Sequence, residues 1–366
     1  MRVVSIVGAR PQFIKAAPVE KELRKAGYQV ALVHTGQHYD YGMSKVFFEE
    51  MGIPEPDANL EVGSGSHGRQ TGLMLMRLDE FLGQQRPDWV LVYGDTNSTL
   101  AGALAAAKLH LRVAHVEAGL RSFNRAMPEE LNRVVTDHLS TLLLCPSQTA
   151  IDNLAAEGIT RSAHLVGDVM YDAVLQFAEV ALKRSSILND LQLEPKSYLL
   201  ATVHRAENTD SLHRLENILA AFVEVGEPVI LPVHPRLRRA LARSDQFSAD
   251  GQSLIHNGSL QMNNVLLIDP IGYLDMLNLE RHARMILTDS GGMQKEAYWF
   301  GVPCVTLRDE TEWVETVQSG WNLLVGADAK CIVAAVRSFK PEGEAVKQHL
   351  YGEPLASERC VRLLES

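Results

Sequence analysis

Short apolar runs rich in Val, Ile and Leu alternate with helix-like segments along nearly the whole chain. In the first half these runs are RVVSIVG, VALVHTG, WVLVYGD, VAHVEAG and LLLCPS. The pattern begins again after Asp168 with YLLATVH, PVILPVHP, VLLIDP, MILTDS and PCVTLR. Strands that read as continuous apolar runs separated by helices are typical of parallel sheets covered on both faces. The sequence therefore predicts an α/β fold of two doubly wound, Rossmann-like halves facing a cleft.

The length agrees with this duplication, because 366 residues exceed the ~250–300 at which a single hydrophobic core stops growing. We predict an N-terminal domain over residues 1–168, a C-terminal domain over residues 169–350, and a final segment, residues 351–366, that packs back on the N-terminal domain. Ligands of doubly wound sheets bind outside the carboxyl ends of the strands. The cleft between the halves is therefore the expected site.

Charge and cysteine usage exclude several classes of protein. Asp and Glu number 45 against 35 Lys and Arg, so the net charge of −10 argues against general binding to nucleic acid or anionic membranes. No apolar run approaches the ~18 residues of a membrane span, and the first run is too short for a signal peptide. The four cysteines are scattered, without zinc spacing, which indicates reduced thiols in a cytoplasmic protein.

The first chemical motif is GARPQFIK, directly after the first strand. Gly8 permits a tight turn, and Pro11 suits the first turn of a helix. Arg10 and Lys15 are then expected near a helix N-terminus, which attracts anions. The alternative is an ordinary turn carrying two solvated cations.

A second motif, TDSGGMQKE, joins another strand to a helix. The amides of Ser290, Gly291 and Gly292 are unobstructed by large side chains and form a candidate phosphate site backed by the helix dipole. Glu296 follows within the first turns, where it can accept hydrogen bonds from sugar hydroxyls. The alternative is a loop that merely permits glycine.

Carboxylates form the third group. Asp95 in YGDTNST and Glu117 in HVEAGLRS come where apolar strands give way to loops, which is the active rim of a parallel sheet. Glu129 and Glu130 in MPEELNR begin a helix, where acidic residues are favoured for structural reasons as well.

The fourth motif, TVHRAEN, follows the strand YLLAT. His204 and Arg205 at a strand end can bind a diphosphate or transfer a proton, although a capping loop is the alternative. His234 in PVHP repeats the pattern one strand later, and Arg308 ends the strand PCVTLR. We assign His234 and Arg308 to substrate binding.

Several familiar motifs are absent. The sequence has no HExxH, Walker A, GxGxxG or GxSxG pattern, which argues against a metal site, a bound dinucleotide and nucleophilic hydrolysis. The only ligand-like spacing joins His34 to His38, and Gly36 would break a helix between them. The glycine-rich residues 63–68 are expected to form a flexible loop. The remaining features indicate an enzyme of nucleotide sugars that uses neither metal nor cofactor.

Eight motifs in one order, from residue 8 to residue 297, strongly resemble the non-hydrolysing UDP-N-acetylglucosamine 2-epimerases. They are GARPQFIK, TGQHYD, YGDTNST, HVEAGLRS, MPEELNR, TVHRAEN, PVHP and TDSGGMQKEA. The resemblance implies a fold like that of the glycosyltransferase B class. It also implies a cytoplasmic homodimer that supplies UDP-N-acetylmannosamine-type sugars for surface polysaccharides.

The resemblance also implies roles for matching positions. Acid/base carboxylates would be Asp95, Glu117 and Glu129, and Lys15 would be an active-site cation. The diphosphate would be held by Arg10 and by His204, which we also count as catalytic. The remaining roles are those of Ser290 and Gly291 in the phosphate loop and of Glu296 at the ribose.

Two departures from the family pattern bear on the substrate. Lys295 stands where members often have Glu, and TEWVE stands where many carry TERPE. TGQHYD and TEWVE are more like the branch that includes epimerases of UDP-2,3-diacetamido-2,3-dideoxyglucuronate. UDP-N-acetylglucosamine stays the first choice, with that uronate as the alternative. The departure also weakens the expectation of a second, allosteric sugar site involving Gln37 and His38.

Three further alternatives are a glycosyltransferase of the same fold, a hydrolysing epimerase that releases free sugar, and a catalytically idle nucleotide-sugar sensor. The carboxylate set argues against the glycosyltransferase and the sensor. Accumulation of free sugar would indicate the hydrolysing epimerase.

Overall fold

The computed structural model describes residues 1–37, 55–243, 259–343 and 350–365. The chain divides into two compact units, one of Met1–Gln176 with Tyr351–Ser366 and one of Phe177–Leu350. The division falls inside the helix Val169–Arg184, whose first residue is the predicted start of the C-terminal domain. Each unit is an α/β structure built on its own sheet.

The first unit has a seven-stranded sheet in the order β3-β2-β1-β4-β5-β6-β7, with every pair parallel. Its elements are β1 Arg2–Val7, α1 Arg10–Lys25, β2 Gln29–His34, β3 Ala58–Asn59, α2 His67–Gln85, β4 Trp89–Tyr93, α3 Asn97–Lys108, β5 Arg112–Val116, α4 Pro128–Leu139, β6 Leu142–Cys145, α5 Gln148–Ala156, β7 Ala163–Leu165 and α6 Val169–Arg184.

Small residues let α3 approach the first sheet closely. A Cβ at Gly102 would lie 2.8 Å from Ile6 Cδ1 and 3.0 Å from Val92 Cγ1. Alanines fill the neighbouring buried positions of this helix. The central strands are covered so completely that all five residues of β4 are buried. This burial explains why the strands read as unbroken apolar runs rather than alternating ones.

The helix α2 corrects the expected loop at residues 63–68, because the helix begins at His67. Its inward face is a four-residue repeat, with Gln70, Met74, Leu78 and Leu82 buried. The three apolar members belong to a core cluster with strands of the first sheet. The spacing is helical, but the glycines near the start of the segment obscure it.

The second unit has the sheet order β10-β11-β9-β8-β12-β13-β14, in which only β10 is antiparallel to its neighbour among the described strands. Its elements are α7 Ile187–Asp190, β8 Leu199–Thr202, α8 Ala206–Thr209, α9 Leu212–Glu224, β9 Val229–Pro232, α10 Pro235–Leu241, β10 Ser259–Met262, β11 Val265–Ile268, α11 Tyr273–His282, β12 Met285–Thr288, α12 Gly291–Trp299, β13 Cys304–Thr306, α13 Val314–Gln318, β14 Asn322–Leu324 and α14 Ala329–Ser338.

Both faces of the second sheet are also buried. Leu199 and Leu231 contribute to a core on one face with Phe222 of α9, whereas Leu200 and Ile286 contribute to a core on the other. The prediction of doubly wound α/β halves is therefore confirmed. Among the described residues, no helix combines the length and apolar character needed to cross a membrane.

The end of the chain returns to the first unit as α15, Ala356–Leu363, which packs against α1. The carboxylate of Asp172 accepts hydrogen bonds from the amides of Leu355 and Ser357, both at 2.7 Å. The indole of Trp89 donates to the carbonyl of Leu364 at 3.1 Å. These bonds tie the terminal helix to α6 and β4.

The strand orders place one switch point in each sheet, where the order reverses. In the first unit it lies between β1 and β4, and in the second between β8 and β12. Loops after these strands diverge and leave a crevice at the carboxyl edge. The motifs GARPQFIK, YGDTNST, TVHRAEN and TDSGGMQKE all begin at such strands.

Candidate functional site

The turn after β1 is organised by Gln12, a buried residue that the motif analysis did not single out. Its Oε1 accepts hydrogen bonds from the amides of Gly8 at 2.9 Å and Ala9 at 3.1 Å. Its Nε2 donates to the carbonyl of Tyr93 at 2.9 Å. Gln12 thus joins the turns at the switch point. A Cβ at Gly8 would collide with the hydroxyl of Ser98, so this close approach requires glycine.

Lys15 and Glu117 form a buried ion pair at this edge. Lys15 Nζ lies 2.7 Å from Glu117 Oε1, and the two side chains are only 10% and 6% exposed. Glu117 adopts a left-handed φ of 70°, which costs about 1–3 kcal/mol and persists only where the surroundings enforce it. A Cβ at Gly94 would lie 3.1 Å from Lys15 Nζ. The pair therefore depends on glycine at that position.

Asp95, at the end of β4, is partly exposed and paired. Its Oδ2 lies 2.6 Å from Arg133 Nη2, and Arg133 Nη1 donates to Glu130 Oε2 at 2.9 Å. Glu130 also accepts from the amides of Ser122 and Phe123. Burial by itself would raise the pKa of Glu130, but the Ser122 amide and Arg133 outweigh it and lower the pKa.

The structure thereby distinguishes the two adjacent glutamates of MPEELNR. Glu130 is a buried, ion-paired carboxylate that holds the loop before α4. Glu129 is half-buried in the first turn of the same helix and takes no part in this network of described residues.

In the second unit, the turn after β8 is built around Asp289, which is fully buried. The carboxylate accepts from the amides of His204 and Arg205, both at 3.0 Å, and from Asn208 Nδ2 at 3.1 Å. His204 Nδ1 lies 3.1 Å from Asp289 Oδ1. Burial acts to raise the pKa of Asp289, yet the hydrogen bonds from these donors outweigh it and lower the pKa. Asp289 therefore orients the His204 ring, which is 35% exposed.

His234 lies beside His204. The two ring centroids are 5.6 Å apart and tilted by 46°. His234 Nδ1 accepts a hydrogen bond from the Arg236 amide at 3.1 Å and so caps α10. Because that nitrogen accepts, the proton of a neutral His234 ring is on Nε2.

The glycine turn at the start of α12 presents unobstructed backbone. A Cβ at Gly291 would lie 2.9 Å from Glu312 Oε1 and 3.0 Å from Trp313 Nε1, so a side chain is excluded there. At Gly292 a Cβ would meet Ser290 Oγ only at 3.9 Å. Helix amides and open space together favour an anion.

Glu296 is buried on α12, where its Oε1 accepts a hydrogen bond from the Tyr273 hydroxyl at 3.1 Å. The Tyr273 ring lies edge-on to Phe177, with centroids 6.0 Å apart. This packing fixes the hydroxyl, and the hydroxyl orients the carboxylate.

The two predicted anion-binding arginines of this unit share a carboxylate. Arg308 Nη1 lies 2.8 Å from Glu312 Oε2, and Arg205 Nη2 lies 3.4 Å from Glu312 Oε1. Arg308 is buried, whereas Arg205 is 27% exposed. Glu312 thus compensates part of the positive charge and orients both guanidinium groups.

The two departures from the family pattern face each other. Lys295 Nζ lies 3.7 Å from the ring centroid of Trp313, and both residues are buried. Thr311 Oγ1 donates to Gln294 Oε1 at 2.7 Å in the same region. The segment before α13 is therefore held on α12 by a cation–π contact and a hydrogen bond.

Each predicted site residue lies at the carboxyl edge of its own sheet or in the first turns of the following helix. In the first unit these residues are Arg10, Lys15, Asp95, Glu117 and Glu129, of which Lys15 and Glu117 are in direct contact. In the second unit they are His204, Arg205, His234, Ser290, Gly291, Gly292, Glu296 and Arg308. There His204 lies beside His234, and Arg205 and Arg308 share Glu312.

Five residues of these networks were not predicted from the sequence: Gln12, Arg133, Tyr273, Asp289 and Glu312. Four of these five residues lie within quoted motifs, and Tyr273 is the exception. Asp289 could have been predicted from its position directly after a strand. Of the two residues named for the weakened expectation of a second sugar site, Gln37 accepts from Ser98 Oγ at 2.6 Å, and His38 lies outside the described residues. Within the described part of the chain, no cluster of three or more ligating side chains is arranged to hold a metal ion.

Comparison with known proteins identifies the family of this chain. Residues 21–365 match the UDP-N-acetylglucosamine 2-epimerase family. A UDP-N-acetylglucosamine 2-epimerase homolog of Methanococcus maripaludis is 53% identical, with all of both chains covered. The UDP-2,3-diacetamido-2,3-dideoxy-D-glucuronate 2-epimerase of Pseudomonas aeruginosa is 47% identical, covering 100% of this chain and 99% of the relative.

Solved structures show the same relationship. The UDP-GlcNAc 2-epimerase of Methanocaldococcus jannaschii, in complex with UDP-GlcNAc and UDP, has a TM-score of 0.87 and 42% identity, covering 100% of this chain and 99% of that one. A Streptomyces glycosyltransferase at 16% identity, with a TM-score of 0.55, shows likeness of fold alone. On the family match and the full-length relatives, this chain belongs to the UDP-N-acetylglucosamine 2-epimerase family.

Proposed function

We propose that this protein is a non-hydrolysing UDP-N-acetylglucosamine 2-epimerase that interconverts UDP-N-acetylglucosamine and UDP-N-acetylmannosamine. The observation that carries the proposal is the pairing of Asp95 and Glu117 with buried cations at the carboxyl edge of the first sheet. The full-length similarity to epimerases supports the same reaction.

The reaction chemistry explains the need for carboxylates and cations. The C2 proton of an N-acetylhexosamine is not adjacent to a carbonyl of the ring, so its direct removal is very costly. If the C1–O bond breaks first, the oxygen of UDP takes the electron pair and C1 becomes oxocarbenium-like. A carboxylate then removes the C2 proton, and the C2–H electrons form a C1=C2 bond. A second carboxyl group, in its acid form, then protonates the opposite face of C2 as UDP returns to C1, and C2 is inverted.

In this proposal Asp95 and Glu117 exchange the protons at C2, and Glu129 supports them as the third carboxylate. Lys15 stabilises Glu117 in its ionised form, which is the form required of a base. Arg133 holds the carboxylate of Asp95 in place, with 2.6 Å between Nη2 and Oδ2. Separate kinetic tests of Asp95→Asn and Glu117→Gln assign each carboxylate to one face of C2.

Nucleotide binding is proposed for the second unit together with Arg10. His204, oriented by Asp289, and Arg205 would stabilise the leaving diphosphate, aided by His234 and Arg308. The amides of residues 290–292 would bind phosphate oxygens. Glu296 would accept hydrogen bonds from the ribose hydroxyls.

The proposal extends to assembly and cellular role. We propose a homodimer, supported by an apolar strip on α4 where Leu131 and Val135 are 47% and 40% exposed. Sedimentation of the wild type and of Leu131→Glu tests it, since a monomeric wild type would refute it. Cytoplasmic production of precursors for surface polysaccharides is proposed on the family relationship and on the four unpaired cysteines.

The test is incubation of purified protein with UDP-N-acetylglucosamine in heavy water. The proposal predicts deuterium at C2 and formation of the mannosamine isomer, with no free sugar accumulating. Asp95→Asn and Glu117→Gln should lose orders of magnitude in kcat while still binding UDP. Asp88→Asn is the control, because its carboxylate serves the exposed amide of Arg2. Absence of both exchange and isomer with UDP-N-acetylglucosamine would refute the proposal.

A second candidate substrate is UDP-2,3-diacetamido-2,3-dideoxyglucuronate. The observation that favours it is the buried Lys295–Trp313 pair in place of the more common family residues, together with 47% identity to the Pseudomonas enzyme. Parallel assays with both sugars distinguish the two substrates through their kcat/KM values.

A further inference from the structure

His115, in the middle of β5, makes two hydrogen-bond contacts although it is fully buried. Its Nδ1 lies 2.7 Å from Asp137 Oδ1 on α4. Its Nε2 lies 2.7 Å from the carbonyl oxygen of Gly94. Neither His115 nor Asp137 has been assigned a role in the proposed reaction.

The partners of the ring determine its protonation state. A carbonyl oxygen only accepts hydrogen bonds, so Nε2 carries a hydrogen. Asp137 also accepts from Arg121 Nη1 at 2.7 Å and from the Gly119 amide at 3.2 Å. These two donors on Oδ2, one of them a guanidinium, hold Asp137 as a carboxylate, which only accepts hydrogen bonds, so Nδ1 carries a hydrogen too.

The charges around this imidazolium balance. Arg121 forms a bidentate pair with Glu157 at 2.7 and 2.8 Å, so two cations face two carboxylates. The nearby Cys145 thiol is neutral, because burial and then the charge of Asp137 raise its pKa to about 12. A buried charged group is stable when it is paired and hydrogen-bonded, as His115 is here.

This arrangement fixes the backbone at Gly94, which directly precedes Asp95. The Gly94 amide donates to the carbonyl of Val116 at 3.0 Å, while its carbonyl accepts from His115. Both polar groups of this peptide segment are thus bound to β5. Gly94, with a φ of 63°, also borders the Lys15–Glu117 pair.

We propose that His115 is a positioning residue, held as an imidazolium, that binds the Gly94 carbonyl and thereby sets the relative placement of Asp95 and Glu117. This inference rests on the proposed function for its catalytic consequence. The charge state of His115 does not rest on it.

The first test measures the charge state in the wild-type protein by ¹⁵N NMR with labelled histidine. We expect both ring nitrogens of His115 to have the shifts of protonated nitrogens at neutral pH. The signal is assigned as the one absent from His115→Gln or displaced in Asp137→Asn, and the exposed His110 provides a reference. A neutral tautomer of His115 at neutral pH would overturn the inference.

The second test separates positioning from structural support. His115→Gln can keep only one of the two hydrogen bonds, so we expect kcat to fall roughly 10- to 100-fold, as for a misplacement of about 1 Å. KM and UDP affinity should stay within about twofold. The matched control is His213→Gln, which changes an exposed histidine of α9 in the second unit. An unchanged kcat, or parallel loss of UDP binding, would overturn the positioning role.

The outcomes also separate this inference from the proposed function. A wild type that epimerises neither sugar refutes the function, while the NMR spectrum still decides the charge state. An active wild type with an unaffected His115→Gln refutes only the positioning role. If His115→Gln is insoluble, Asp137→Asn serves instead, since loss of the ionised partner should both neutralise the ring and lower kcat.

Discussion

Replacing Asp289 with Asn tests the idea that one buried carboxylate organises the nucleotide-binding edge of the second unit. The substitution keeps the shape of the side chain and removes its charge. Four donors converge on this carboxylate: two backbone amides, Asn208 Nδ2 and His204 Nδ1. All lie at 3.0–3.1 Å, and Asp289 is fully buried.

The expected loss follows from these bonds. A hydrogen bond to a charged group contributes about 1.5–3 kcal/mol, against about 0.5–1.5 kcal/mol for a neutral one. An asparagine oxygen can retain three of the four bonds, each weakened by about 1 kcal/mol. The fourth bond is lost outright, at about 1.5–3 kcal/mol, so we expect Asp289→Asn to lower the free energy of unfolding by about 5 kcal/mol at neutral pH. UDP affinity should fall as well, because His204 and Arg205 lose their anchor.

Urea unfolding followed by tryptophan fluorescence measures this loss. Three of the four tryptophans, Trp299, Trp313 and Trp321, belong to the second unit, so the signal reports mainly on it. Asp309→Asn is the matched control, since its carboxylate is 64% exposed and pairs with Arg214. Such surface pairs contribute at most about 1 kcal/mol. Equal, small losses in the two variants would refute the reasoning.

The pH dependence of the loss has a defined sign. Because folding lowers the pKa of Asp289, its stabilisation is present above the ordinary value of 3.8 and disappears as the pH falls through the lower folded value. The difference between wild type and Asp289→Asn should therefore be full at neutral pH and shrink below pH 3.8. A difference that grows on acidification would contradict this assignment.

Three further predictions concern buried charges elsewhere. Burial, only partly offset by Arg24, raises the pKa of Glu20 to about 7. The stabilisation from the protonated carboxyl group is therefore complete below pH 4.5 and is lost as the pH rises through about 7. Glu20→Gln should gain up to about 3 kcal/mol over wild type between about pH 5 and pH 8 in urea unfolding, and a pH-independent gap would contradict this. For Lys295 and Trp313, a double-mutant cycle with Lys295→Met and Trp313→Leu should give a coupling energy of about 1–2 kcal/mol, whereas additive losses would exclude the cation–π contribution. Glu130→Gln should destabilise the protein by about 2 kcal/mol, while Glu129→Gln should leave the thermal midpoint unchanged and lower kcat; a fully active Glu129→Gln would remove Glu129 from the acid/base set.

The alternation of apolar runs and helical patterns was sufficient to predict two doubly wound sheets. This information is local, since the spacing of apolar side chains within a segment predicts whether that segment is a strand or a helix. The helix α2 was missed because two glycines near its start, at positions 68 and 72, suggest a loop. Its buried stripe becomes evident only when the sheet it covers is present.

Position after a strand also predicted most of the candidate site. The carboxyl ends of parallel strands share one edge, so Asp95, Glu117, His204 and Ser290 could be identified as rim residues from the sequence. The family resemblance then supplied their chemistry. Neither source indicated which charges are paired, because pairing depends on the distances between separate strands and helices.

Tertiary structure decided those pairings. Lys15 meets Glu117 across 102 residues of sequence, and Asp289 meets the His204 turn across 85. The same holds for His115, whose partners come from the ends of β4 and α4. Glu129 and Glu130 are adjacent residues of the same type, yet of the two only Glu130 lies in a buried ion pair among the described residues. Sequence by itself determined the elements and the edge at which polar residues collect. Folding of the sheets determined which of those residues are charged, paired and oriented, because electrostatic interactions depend on separation and burial that no local pattern records.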